Sequence, residues 1–186
     1  GSLRFNTDSA HLEYYRGDTI GWVEVEASHG QLGGGTGSNT GLGSRAVFLA
    51  GYITGSDFTN TIDFVTISTL GNAQDFGDAS VKRLHLGGAA SRTRGYMIGG
   101  QSPGSPNGVA SIGTIVISST GNSTDYGDLT QGSKYVRAVS NSTRAVANLG
   151  AIGGTGLQNV LEYINMDSTG STVDFGDLTN IHYTGA

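Results

Sequence analysis

One phrase is written three times in this chain: "QDFGD" at 74–78, "TDYGD" at 124–128 and "VDFGD" at 173–177. Its first aspartates, Asp75, Asp125 and Asp174, lie 50 and 49 residues apart. A fixed interval of this kind means that one supersecondary unit is built several times and stacked. Other landmarks keep the same step. The units open on "SRAVFLAGY", "TRGYMIGGQ" and "TRAVANLGA", which align Arg45, Arg94 and Arg144. A second apolar run follows in each: "NTIDFVTIST", "ASIGTIVISST" and "NVLEYINMDST". After the shared phrase comes a last apolar stretch, "VKRLHLGGAAS", "SKYVRAVSNS" or "NIHYTGA". These runs are short, rich in β-branched and aromatic residues, and separated by turn formers. Each unit therefore reads as three or four strands.

Composition agrees with an all-β chain. There are 32 glycines but only two prolines, no Gly-X-Y period, and 36% hydrophobic residues. That excludes collagen and disorder. The formal net charge is −5, with 13% charged residues, so the basic footprint of a nucleic-acid binder is absent. No cysteine is present, which removes disulfides and thiolate metal sites. No apolar run approaches the length of a membrane helix, so membrane insertion is not expected. No signal-peptide pattern is visible. The chain starts at Gly1 rather than methionine, which leaves a processed terminus, a fragment or a preceding segment open.

Three regions follow. Residues 1–28 alternate apolar and polar residues in "SLRFN", "AHLEYY" and "GWVEVEA", split by the turn-rich "TDS" and "RGDTIG". This predicts a three-stranded antiparallel meander for docking or oligomerisation. Leu3, Phe5, Leu12, Tyr14 and Trp22, with Val23 or Val25, are the candidates for its apolar face. Residues 29–43 hold seven glycines in fifteen and read as a linker. Residues 44–186 hold the repeats, 44–92, 93–142 and 143–186. A period near 50 with about four strands predicts kelch-like, propeller-blade-type β repeats. Three blades are fewer than a closed propeller needs. A second chain, further sequence, or stacking on a partner are all open ways to complete it.

The repeated phrase has two chemical readings. Asp75, Asp78, Asp125, Asp128, Asp174 and Asp177 could ligate a hard cation, yet the spacing of a calcium loop is missing. The structural reading is preferred. Gly77, Gly127 and Gly176 supply a positive φ, the aspartates bond nearby amides, and Phe76, Tyr126 and Phe175 fill the space between sheets. Arg45, Arg94 and Arg144 would either pair with these aspartates or form a ring for acidic glycans. His11, His29, His85 and His182 share no metal-ligand spacing. "RGD" at Arg16–Asp18 fits turn chemistry. No nucleophile elbow, Walker loop or zinc helix is present, and the acidic residues follow the architecture, so no enzyme activity, cofactor or metal is expected.

The opening "RFNT…LEYY…WVE" resembles a short β module of tailed-phage structural proteins. "TRGYMIGG", "NTIDFVTIS" and "TGNSTDYGDLT" resemble the kelch-like arrays of marine phages, notably cyanophages. The resemblance covers nearly the whole chain apart from the linker. Departures are that only the second unit keeps the double glycine, Gly99–Gly100, and that Gly113 and Glu162 replace Asp63. The resemblance implies a non-enzymatic virion structural protein on the extracellular phage particle, in a tail fibre, tail appendage or capsid decoration. Other virion proteins and further copies of the chain would be its partners. The alternative is a host-surface glycan-binding module. It would use the variable loops 52–60, 101–110 and 151–159, with Tyr52, Phe58, Asn107 and Gln158 as candidate contacts.

Overall fold

The computed structural model describes residues 2–6, 11–24, 45–55, 57–153 and 156–181. The segment read as a linker, 29–43, lies outside the described residues, as do Val25, His29 and His182. The described chain is all-β, made of several small antiparallel sheets. It divides into two compact units, 1–30 and 31–186.

In the first unit, strands β1 (Leu3–Asn6), β2 (His11–Tyr15) and β3 (Trp22–Glu24) form a three-stranded sheet in that order. Leu3 stands opposite Tyr14, Phe5 opposite Leu12, and Tyr14 opposite Val23. Alternation then puts Leu3, Phe5, Leu12, Tyr14 and Val23 on one face. Trp22 does not join them, which corrects the sequence expectation. It pairs with Tyr15 on the other face, where the Arg4 guanidinium lies 4.2 Å from its ring centroid. Arg4 Nε also donates to Glu13 at 2.6 Å. A cation over the indole face and its carboxylate partner give the polar face its own packing. The Arg16–Gly17–Asp18 segment enters the β2–β3 turn, where Gly17 takes φ 95° and its carbonyl accepts from Gly21 N–H at 2.7 Å. The Asp18 carboxylate accepts from the Tyr15 hydroxyl.

The second unit holds three repeat sheets. The first is β4 (Arg45–Ile53), β5 (Asp57–Thr66) and β6 (Gln74–Asp78). The second runs β7 (Gly87–Ala90), β8 (Arg94–Ile98), β9 (Val109–Val116) and β10 (Thr124–Lys134). The third runs β11 (Arg137–Ser140), β12 (Arg144–Asn148), β15 (Val160–Asn165) and β16 (Val173–Asp177). The short strands β13 (Ala151–Ile152) and β14 (Gly156–Leu157) leave the third repeat and extend the second sheet beside β10.

The sheets are out of phase with the sequence units. The strand that ends one unit, β7 or β11, pairs with the arginine strand of the next. Local turn chemistry explains the hairpins. Ser91 Oγ accepts from Arg94 N–H at 3.1 Å, and Asn141 Oδ1 accepts from Arg144 N–H at 2.8 Å. Such side-chain bonds to the backbone close a tight turn and fix the next strand antiparallel.

The core lies between sheets. Phe76, Met97, Ile115, Ile62 and Phe64 fill the space between the first and second. Tyr96, Tyr126, Ile112, Ile164 and Met166 lie between the second and third. Neighbouring rings meet edge-on, Phe64 with Phe76 at 5.9 Å and Tyr96 with Tyr126 at 5.0 Å. Edge-to-face pairs at this distance add to the burial of apolar surface. Phe76 is fully buried whereas its counterpart Phe175 is half exposed. We expect Phe76→Ala to cost about 3–5 kcal/mol in urea unfolding, and Phe175→Ala in the monomer less than half as much.

Candidate functional site

The repeated phrase is an inter-sheet joint. In each copy the phrase pairs with a strand of its own sheet on one side only, and β13 meets β10 further along, at Ser133 and Lys134; a register shift falls at the aromatic residue in β5–β6, β9–β10 and β15–β16. The shift is a β-bulge, which twists the strand and leaves its extra residue unpaired. Gly77, Gly127 and Gly176 follow the bulge with φ of 141°, 156° and 126°. The phrase is therefore a bulged strand rather than a free-standing turn.

The bulge frees backbone groups for the next sheet. The Phe76 carbonyl accepts from Gly121 N–H at 2.7 Å, and the Asp78 carbonyl accepts from Ser123 N–H at 2.8 Å. Asp78 N–H donates to Asn122 Oδ1 at 2.9 Å. The second joint repeats this pattern. Gly170 N–H donates to the Tyr126 carbonyl at 3.1 Å and Thr172 N–H to the Asp128 carbonyl at 2.8 Å. Backbone approaches so closely that a Cβ on Gly77 would lie 2.5 Å from the Gly121 oxygen, and one on Gly127 2.2 Å from the Gly170 oxygen. Over Gly176 the same space is open.

Phe76 and Tyr126 point into the layers between sheets, whereas Phe175, expected to do the same, is half exposed; the two aspartates of each phrase point out. Phe76 and Tyr126 are buried, and the Tyr126 hydroxyl lies 2.6 Å from the Asn165 carbonyl and 2.7 Å from that of Ser168. Asp75, Asp78, Asp125, Asp128, Asp174 and Asp177 are exposed. Their one side-chain hydrogen bond among the described residues runs from Gly176 N–H to Asp174 Oδ1 at 3.3 Å. No group of three acidic or histidine side chains converges as a metal site among the described residues.

The repeated arginines do not reach these aspartates. Arg45 lies 4.5 Å from the Phe64 ring centroid and donates to the Ile117 carbonyl at 2.9 Å. Arg144 lies 4.6 Å from the Tyr163 ring centroid. Thr114 occupies the corresponding position in the second sheet, so Arg94 has no ring there. No ion pair joins the three arginines to the phrase among the described residues. The aromatic face replaces the carboxylate partner, a contact open to guanidinium because it is planar and weakly hydrated.

Two buried charged groups escaped the sequence reading. Arg83, fully buried, donates to the carbonyls of Gly99 at 3.0 Å and Ser111 at 2.9 Å, and to Ser111 Oγ at 3.1 Å. Burial lowers its pKa. Glu162, also buried, accepts from Thr130 N–H at 3.2 Å and from the hydroxyls of Thr130 and Thr172. It thus joins the second sheet to the third. Glu162 stands at the offset that Asp63 holds in the first unit, which was the available signal, whereas Ser133 stands at the offset of Arg83.

The loop candidates fall in two places. Tyr52 and Phe58 stand opposite each other across the β4–β5 hairpin, and Tyr52 is exposed. Asn107 is exposed in the β8–β9 loop and touches the β13–β14 turn: a Cβ on Gly153 would meet the Asn107 Cβ at 2.3 Å. Gln158 follows β14, and its N–H donates to the Gly150 carbonyl at 2.7 Å. The structure brings the loops of the second and third repeats together. A separate apolar cavity of about 530 Å³ lies where β4, β7 and β11 converge, lined by Val47, Ala89, Ile115, Ala138 and Val139.

No protein-family model matches the chain, and no curated protein matches it in sequence. What its residues can do is read from this geometry. The most strongly constrained groups are those of the joints and not an exposed constellation.

Two outcomes follow from the joint. Gly77→Ala forces a methyl onto the Gly121 carbonyl besides straining φ, whereas Gly176→Ala meets only the strain. We expect the first to destabilise by about 3 kcal/mol or more and the second by about 1 kcal/mol, in paired urea melts. Burial and the neighbouring Tyr126 push the Tyr96 hydroxyl up to about 12, and burial also raises Tyr126. The folded state therefore holds protons that the unfolded chain releases near pH 10. Stability should fall as pH rises from 10 toward 12, and the absorbance of ionising tyrosine should rise in step with unfolding.

Proposed function

We propose that the chain is a non-enzymatic structural protein of a tailed-bacteriophage virion, exposed on a tail fibre, tail appendage or capsid decoration, with kelch-like blades as its repeats. The observation that carries this reading is the joint. The same backbone bonds link first sheet to second and second sheet to third, at positions one repeat apart. A chain whose most constrained residues hold repeated sheets together is built as a scaffold. The antiparallel orders β7–β8–β9–β10 and β11–β12–β15–β16 have the strand number of a propeller blade. The virion setting rests on the sequence resemblance.

The glycan-binding alternative draws on the meeting of the Asn107 loop with Gly153 after β13, because loops presented together by a rigid scaffold are where recognition residues gather. Mass spectrometry of purified cyanophage particles tests the first reading. Peptides of this chain or its close relatives should appear at the copy number of a structural protein. Their restriction to infected-cell lysate, outside particles, would overturn it. A glycan array probed with the purified chain separates the two readings. Binding abolished by Asn107→Ala would favour recognition over pure scaffolding.

A further inference from the structure

The joint has a strand half and a loop half, and each end of the repeat array carries one half that is unused among the described residues. β6 and β10 offer the strand half to Gly121–Ser123 and Gly170–Thr172. β16 offers the same half, through Phe175 and Asp177, and no loop of a following sheet bonds to it among the described residues. The first sheet has the loop half at Gly71–Asn72–Ala73, and no repeat sheet precedes it to supply the strand half. Asn72 even keeps the side chain with which Asn122 accepts from Asp78 N–H.

Burial tells the same story. Ile67 aligns with Ile117 and Met166, both buried under the preceding sheet, yet Ile67 is 65% exposed. Phe48 aligns with Met97 and Ala147, again both buried, and is 59% exposed. On the trailing face, Phe175 aligns with the buried Phe76 and Tyr126 and is 50% exposed. Large apolar side chains thus stand in solvent at the positions that the internal joints cover. The open space over Gly176 is the space that the Gly121 and Gly170 oxygens fill over Gly77 and Gly127.

We infer that a second copy of this chain docks head to tail: the trailing face of the third sheet in one copy covers the leading face of the first sheet in the next. The bonds are read from the internal joints. Gly71 N–H donates to the Phe175 carbonyl of the other copy, Ala73 N–H donates to its Asp177 carbonyl, and its Asp177 N–H donates to Asn72 Oδ1. Phe175 enters the apolar layer with Ile67 and Phe48, as Phe76 does with Met97 and Ile115. The two surfaces are different, so the contact is heterologous and propagates to a closed ring or a filament. The inference does not depend on the virion reading, since it uses only the repeated joint.

The test uses the full chain in sedimentation velocity and light scattering over a concentration series. The wild type should self-associate. Ile67→Lys spoils only the leading face and Phe175→Lys only the trailing face, and each variant alone should run as a monomer. An equimolar mixture should form a one-to-one complex, because it restores one intact pair of faces. A symmetric contact through either patch would not be rescued by mixing. Both positions are exposed, so thermal unfolding of the monomers should still be cooperative; Phe48→Lys replaces Ile67→Lys if the latter unfolds. A wild type that stays monomeric, variants that associate like wild type, or a mixture that fails to pair would each overturn the contact.

Discussion

The repeat unit of this protein depends on a bulge in its outer strand. A regular strand would spend its outward carbonyls and N–H groups on a partner strand or on water. The bulge, followed by a glycine at positive φ, turns them toward a loop of the next sheet. Each bond contributes only about 0.5–1.5 kcal/mol net. Their larger effect is geometric. They hold neighbouring sheets at a separation that one aromatic ring fills, and they cover an edge that would otherwise invite unwanted strand pairing.

On this common frame, equivalent positions carry different chemistry. The middle-strand site is Asp63 in the first sheet, Gly113 in the second and Glu162 in the third. Gly113 leaves room for Met97, whose Cε would lie 3.1 Å from an added Cβ. Glu162 instead gathers two threonine hydroxyls and a backbone N–H. A similar exchange occurs after the outer strand. Arg83 reaches the Gly99 carbonyl, and Ser133 reaches the Leu149 carbonyl one repeat later. A long cation and a short hydroxyl satisfy the same kind of buried acceptor, which would cost more to leave unpaired than either bond contributes.

The period, the all-β class and the three strands of the first unit were legible because they rest on spacing and alternation, which a sequence displays directly. The inward role of Phe76 and Tyr126 was legible for the same reason. The phase of the sheets was not. Whether β7 closes one sheet or opens the next is decided by the turn at Ser91, and a serine in a turn carries no label of direction. Nor were the arginine contacts legible. Arg45, Arg94 and Arg144 keep step with the aspartates, so equal spacing pointed to pairing, but distance along the chain does not say which face a side chain leaves from. Trp22 was misplaced because its hydrophobicity was weighed without the cation above its ring.

The two layers between sheets are unequal. Between the second and third sheets, twelve buried residues form the cluster around Tyr96 and Tyr126. Between the first and second there are six, around Phe76. The larger layer also contains the Glu162 clasp. Local opening follows the weaker layer, since regions with less buried apolar surface open at lower free energy than the whole. The first sheet is therefore the most weakly held of the three repeat sheets. It can detach while the other two stay folded, so among the three repeat sheets it is the one whose strands a protease would reach at the lowest cost.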